Sequence, residues 1–207
     1  VLLNGEKKCF MIQLALTNEQ KKESHMFEEA VIFATNAHAG QKRKGTDIPF
    51  IIHPLEVAAI VAAITTDEEM LCAAVLHDVV EDCKDISIQD IRMRFGARVA
   101  SLVDQESEDK SKSWQERKGS TIQFLKNEAS RNAKIIALGD KLANIRSMAR
   151  DYREIGDQLW LRFNMKDKNM HAWYYRGLTE AFQELAHYKE YQEYRQLVEQ
   201  VFGSPAE

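Results

Sequence analysis

Residues 65–82 read TTDEEMLCAAVLHDVVED, and the fold follows from how that stretch is understood. Thr66 suits a helix N-cap, with Glu69 three positions on to close a capping box. From Leu71 to Leu76 every side chain is apolar or small, so this helix has no polar face and belongs at the centre of a helical bundle. His77, Asp78, Glu81 and Asp82 then close the apolar run. Burying an unpaired carboxylate is costly, and carboxylates at a helix C-terminus oppose the macrodipole. Four titratable groups in that place need a compensating charge, and a metal ion is the simplest one. A helix that merely surfaces at its end would account for Glu81 and Asp82, but not for His77 beside the apolar run.

The chain has 207 residues, enough for one domain with a full core and short for two. Only 3 Pro and 9 Gly interrupt it, and alternating Val/Ile/Thr runs are scarce, so the expected fold class is all-α, a single helical bundle. A net charge of −4 argues against a protein built to lie on nucleic acid or an anionic membrane, and leaves phosphate binding to local basic patches. Cys9, Cys72 and Cys83 are odd in number and lack CxxC spacing, which suggests neither a disulfide framework nor a zinc finger. No apolar run of about 18 residues would span a bilayer, and no signal-peptide pattern appears, so a cytoplasmic location is the default expectation.

Working outward, residues 1–16 read as an N-terminal arm of unassigned structure, and Thr17 with Gln20 suits the start of a helix. A second helix is expected over 25–39, ended by Gly40. A basic, turn-rich loop follows, with Lys42, Arg43 and Lys44 ahead of Gly45, and then Phe50-Ile51-Ile52-His53-Pro54. Pro54 suits a first helical turn, which leaves His53 at the N-terminal edge of a helix over 55–64. Beyond the central stretch, Ser87 with Asp90 begins a short helix that stops at Gly96. The charged segment 106–117 reads as a polar connection in which Lys110, Lys112, Arg117 and Lys118 offer a second phosphate-facing group. A long helix is expected over 133–149; Asp140 interrupts its apolar stretch, with Asn144 four residues on along the same face. Residues 150–166 read as a connection. Met170, Trp173, Tyr174, Leu178 and Phe182 have helical spacing and read as core. His38, His171 and His187 read as structural or surface histidines.

His53, the pair His77-Asp78, and Asp140 thus form a spread pattern of two imidazoles and two carboxylates. A mixed N/O donor set suits Mn²⁺, Fe²⁺ or Zn²⁺ and not a thiolate zinc site. The motifs Gly40-Gln41 with Arg43-Lys44, Ile51-Ile52-His53-Pro54, His77-Asp78-Val79-Val80-Glu81-Asp82, Arg94-Phe95-Gly96 and Asp140-Lys141-Leu142-Ala143-Asn144-Ile145-Arg146 occur in this order. In that order they resemble the HD metal-dependent phosphohydrolase superfamily, and within it the (p)ppGpp hydrolase domain of RelA/SpoT-type enzymes. The segment 108–118 is similar to the stand-alone small alarmone hydrolases of that family. The resemblance is strongest over 27–148, within a domain of 17–207 whose last helices lie in 167–202.

The resemblance implies a divalent metal, Mn²⁺ foremost, ligated by His53, His77, Asp78 and Asp140, with Glu81 and Asp82 acting on the attacking water. It implies substrate contacts from Arg43, Lys44, Lys141, Asn144 and Arg146. The implied reaction is hydrolysis of the 3′-pyrophosphate of (p)ppGpp to GDP or GTP and pyrophosphate. The implied partner is therefore a small nucleotide, with no nucleic acid or membrane and no indication of oligomeric state. Three departures keep alternatives open: the loop after Lys44 reads GTDIPF, the segment at the Asp140 motif reads ALGDK where the family more usually has KLADR or KLADK, and past Arg150 the chain leaves the long bifunctional enzymes. The alternatives are the same chemistry on a nucleoside monophosphate or NADPH, and a non-catalytic alarmone-binding protein.

Overall fold

The computed structural model describes residues 18–105 and 111–203, with side chains from 25 onward. The N-terminal arm, Thr17 and Lys110 lie outside the described residues. The helices are α1 (Asn18–Ala37), α2 (Ile52–Ala62), α3 (Glu68–Leu76), α4 (Val79–Asp82), α5 (Ile88–Phe95) and α6 (Ala97–Asp104). They continue with α7 (Trp114–Asn127), α8 (Arg131–Ile155), α9 (Lys168–Ala181) and α10 (Lys189–Phe202). A 3₁₀ segment, Gly156–Arg162, joins α8 to the chain leading into α9. Among the described residues the only β pairing is an isolated antiparallel bridge between Lys42 and Pro49, so the fold is all-α as expected.

The apolar stretch is the centre of the bundle. Cys72 to Leu76 of α3 are fully buried, packed among α1, α2, α6 and α8. The helix begins one residue later than the sequence suggests. Asp67, not Thr66, is the N-cap: its backbone is extended and its carboxylate accepts from the Met70 amide at 3.3 Å. The expected capping box does not form, because the Glu69 side chain turns instead to Arg98 on α6. The stretch is also not one helix. It breaks after Leu76, and Val79 starts the short α4.

Three further expectations are corrected. The two helices expected before Gly40 are one, running from Asn18 to Ala37. The helix expected over 133–149 reaches Ile155 and spans 25 residues, roughly 37 Å. Its last turns are polar in sequence, yet Tyr152 and Ile155 pack against the core and carry the helix on until Gly156 ends it at φ 57°. Trp173, expected in the core, is 40% exposed, whereas its neighbours Tyr174 and Tyr175 are buried. Among the described residues no helix is long and apolar enough to cross a membrane.

Candidate active site

Three helices bring four side chains to one point. α2 supplies His53 from its first turn, the α3–α4 junction supplies His77 and Asp78, and the middle of α8 supplies Asp140. Ligand atoms of His53, His77 and Asp140 lie within 4.8 Å of one another, and all three residues are buried. His53 Nε2 is 3.0 Å from Asp140 Oδ1 and 3.5 Å from Asp78 Oδ2. His77 Nε2 is 3.2 Å from Asp78 Oδ2. Side chains of successive helical residues diverge by about 100°, so a continuous helix would aim His77 and Asp78 apart. The break between α3 and α4 lets both face the same point.

The orientation of His77 is fixed from behind. Its Nδ1 lies 2.8 Å from the Ala74 carbonyl oxygen, so Nδ1 carries hydrogen and donates, and Nε2 points into the cluster. Nε2 is fully buried and has no hydrogen bond of good geometry, although carboxylates face it. That placement suits a metal-ligand atom. Burial opposes a charged ring, yet Asp78 and Asp140 hold the His77 pKa well above its ordinary value. Burial alone would raise the Asp78 carboxyl; His77, then His53, pull it down to about 2. Asp140 is likewise desolvated, but Lys141 and the two imidazoles hold its carboxyl well below the usual range. Two anions facing two imidazoles are thus arranged around one centre, and this donor set fits a divalent transition ion.

The cluster forms part of the floor of a cleft of about 720 Å³, a volume suited to a nucleotide-sized ligand. Glu81 and Asp82 on α4 line it, as do Arg43 and Lys44 from the loop before α2, and Lys118 from α7. Asn144 connects two parts of the site: its Nδ2 donates to Asp140 Oδ1 at 2.6 Å, and its Oδ1 accepts from Arg43 at 2.8 Å. Lys141 donates to the other Asp140 oxygen. Arg146 does not line the cleft; its guanidinium is held by Glu193 at 2.6 and 2.7 Å, and by Glu56 at 3.3 Å. Six positions beyond Asp140, a residue points about 240° round the helix, away from the cleft.

Some lining residues escaped the sequence reading. Gln41, Thr46, Ser147, Asp151 and Arg162 all line the cleft. The stripe Asp140, Asn144, Ser147, Asp151 at steps of four, three and four was a legible signal, since those steps repeat on one helix face. Arg162 had none, because it reaches the cleft from the 3₁₀ segment by tertiary packing alone. His38 is buried, with Nδ1 at 2.8 Å from Gln41 Oε1 and its ring 4.7 Å from that of Phe50. It supports the loop from behind, and His171, hydrogen-bonded through Nε2 to the Met165 carbonyl at 2.8 Å, braces the segment before α9.

Fold, cluster and cleft together define an all-α domain with an H…HD…D site. The chain belongs to the HD-domain family, whose model matches residues 30–162. It is 41% identical over 128 residues to a guanosine-3′,5′-bis(diphosphate) 3′-pyrophosphohydrolase, MESH1, of Drosophila melanogaster, over 60% of this chain and 70% of that protein. The Homo sapiens protein of the same name is 38% identical over 131 residues, covering 62% of this chain and 72% of that one. Among solved structures, one described as a metazoan orthologue of SpoT that hydrolyses ppGpp superposes with a TM-score of 0.69 at 29% identity, over 86% of this chain and 97% of that one.

Proposed function

We propose that this protein hydrolyses the 3′-pyrophosphate of guanosine tetra- or pentaphosphate, releasing GDP or GTP and pyrophosphate. The observation that carries the reading is the convergence of two imidazoles and two carboxylates on the floor of a cation-lined cleft, in a chain whose relatives are named for this reaction. His53, His77, Asp78 and Asp140 would hold a divalent ion, Mn²⁺ by preference. Such an ion supplies Lewis acidity toward the phosphoryl oxygens and makes water more acidic.

The remaining steps belong to the protein. Glu81 and Asp82 stand on the cleft wall, where a carboxylate takes the proton of the attacking water. The new P–O bond forms at the phosphorus next to the ribose 3′ oxygen, the bond from that phosphorus to the 3′ oxygen breaks, and the 3′ oxygen takes up a proton. Arg43, Lys44 and Lys141 balance the phosphate charge. Asn144 keeps Arg43 and Asp140 in register, so charge neutralisation and the ligand carboxylate are positioned by one side chain. Arg146 acts at a distance, by joining α8 to α10 and α2.

The direct test uses Glu81→Gln beside wild type, both loaded with Mn²⁺ and incubated with ppGpp. Wild type should yield GDP and pyrophosphate in equal amounts. Glu81→Gln should bind the ion normally and turn over at least 100-fold more slowly, in keeping with the loss of a general base. Intact ppGpp after incubation with wild type would mark a binder, not a hydrolase.

A further inference from the structure

The cleft continues past the ion cluster along α8. Asp140, Asn144, Ser147 and Asp151 line it, and they form one polar stripe on one face of the helix. The eleven residues from Asp140 to Asp151 are three turns plus about 20°, and place Asp151 about 16 Å up the axis. At that end the wall is completed by the 3₁₀ segment. Arg162 lines the cleft there, and its Nη1 donates to Asp151 Oδ2 at 2.9 Å. Arg150 donates to the other oxygen of Asp151 at 3.2 Å. Two guanidiniums around one carboxylate leave an excess of positive charge at this end of the cleft.

Arg162 is also held by the loop that carries Arg43 and Lys44. Its stem lies on the backbone of Gly45: a Cβ at Gly45 would sit 2.6 Å from Arg162 Cδ and 3.0 Å from Cγ. Gly45 has φ 71°, so the turn and the close approach both require glycine. Met148, Leu159 and Phe163 line the same cleft with apolar surface. The cleft thus combines the His/Asp cluster, apolar wall, and, around Asp151, a pair of guanidiniums.

We infer that Arg162, positioned by Asp151, binds the 5′-phosphates of the nucleotide and sets a preference of this site for a 5′-phosphorylated substrate. The inference rests on the proposed function in one respect, that the bound nucleotide carries its scissile group on the 3′ side. An excess of guanidinium charge on a partly desolvated wall is matched by an anion, and a forked donor suits phosphate oxygens. A neutral sugar and base suit the apolar wall of Met148, Leu159 and Phe163.

Two measurements test this on the whole chain. In the first, kcat/KM is determined for wild type, Arg162→Ala and Arg162→Met with ppGpp and with guanosine 3′-diphosphate bearing a free 5′-hydroxyl. Methionine keeps an apolar stem over Gly45 while removing the charge. Both variants should lose 10- to 100-fold on ppGpp through KM, with kcat within about twofold, and lose little on the 5′-hydroxyl substrate. Equal losses on both substrates, as reading of the base would give, overturn the inference. So does a wild-type-like Arg162→Met, which would make Arg162 a packing residue. In the second, calorimetry compares GDP with guanosine as ligands. Wild type should favour GDP and Arg162→Met should lose that preference; an unchanged preference overturns the inference. Because the second measurement needs no turnover, a protein that fails to cleave ppGpp but keeps an Arg162-dependent preference for GDP would sink the activity and leave this inference standing.

Discussion

Asn144 shows how the site depends on single side chains, since it joins Arg43, 101 positions before it in sequence, to Asp140. A residue that hydrogen-bonds a metal-ligating carboxylate typically contributes 10- to 100-fold in metal affinity. Asn144→Ala should therefore weaken Mn²⁺ binding by about that factor, read by calorimetric titration of the metal-free protein; unchanged affinity would mean the bridge does not support the ligand. At this scale the sequence was legible wherever a residue broke its surroundings. His77 and Asp140 are polar groups inside apolar helical runs, and burial of such groups demands a partner. His53 beside Pro54 was weak evidence alone, and became a candidate ligand only in company with the His77-Asp78 pair on the next helix. Arg146 illustrates the limit: the motif places it near the site in sequence, but helical rotation decides where the guanidinium goes.

At the scale of elements, the geometry of the cluster depends on how closely α2 and α8 pack. Gly139, next to Asp140, makes this possible: a Cβ there would stand 3.1 Å from Val61 Cγ2 and 3.4 Å from the Val57 carbonyl. Gly139→Leu should cost about 1–3 kcal/mol of stability through overpacking and weaken Mn²⁺ binding by moving His53 from Asp140. Chemical denaturation and metal titration on the same sample check both effects. The central helix is anchored at its other end by Arg98, which donates to Asp67 at 2.5 and 2.9 Å and to Glu69 at 2.5 Å. The hydrogen bond from Arg98 is the main reason the Asp67 carboxyl is held below its ordinary value. A carboxyl whose folded pKa is depressed stabilises the fold above its unfolded pKa of about 3.9, and that stability is lost as pH falls through the folded value. Arg98→Ala should accordingly cost about 1 kcal/mol near pH 7, a modest figure because the pair is partly exposed, and the gap from wild type should narrow toward pH 3 in urea titrations. A gap independent of pH would assign the loss to packing of the arginine stem instead. Element boundaries were the least legible feature. Thr66 and Asp67 are both competent caps, and only the backbone turn with the Thr65 hydroxyl accepting from the Asp67 amide at 3.1 Å selects the second.

Across the whole molecule, α8 is the spine on which the site and the C-terminal helices meet. It packs on α2 and α3 on the side of the His53–Asp140 cluster, and on α10 on another. Arg146 crosses between these layers, with Glu56 on α2 and Glu193 on α10. Arg146→Ala should lower the melting temperature by roughly 2–4 °C, the consequence of losing about 1 kcal/mol in a chain this size, with KM for ppGpp within about twofold of wild type. A large rise in KM without a thermal shift would instead put the guanidinium on the substrate. The fold class was readable from composition and periodicity, because an apolar helix with no polar face can only be a bundle's interior. The shape of the far end of the cleft was not, because the 3₁₀ segment carries no periodic signal and is fixed by contact with Gly45 and Asp151.

The measurement that bears most directly on the central claim is pyrophosphate release from ppGpp by the metal-stripped protein, before and after Mn²⁺ is returned, with GTP, NADPH and nucleoside monophosphates run alongside. Release from ppGpp is expected only once the ion is restored, and none when Asp78→Ala is treated in the same way. Release without metal, or release by Asp78→Ala equal to wild type, would contradict that claim.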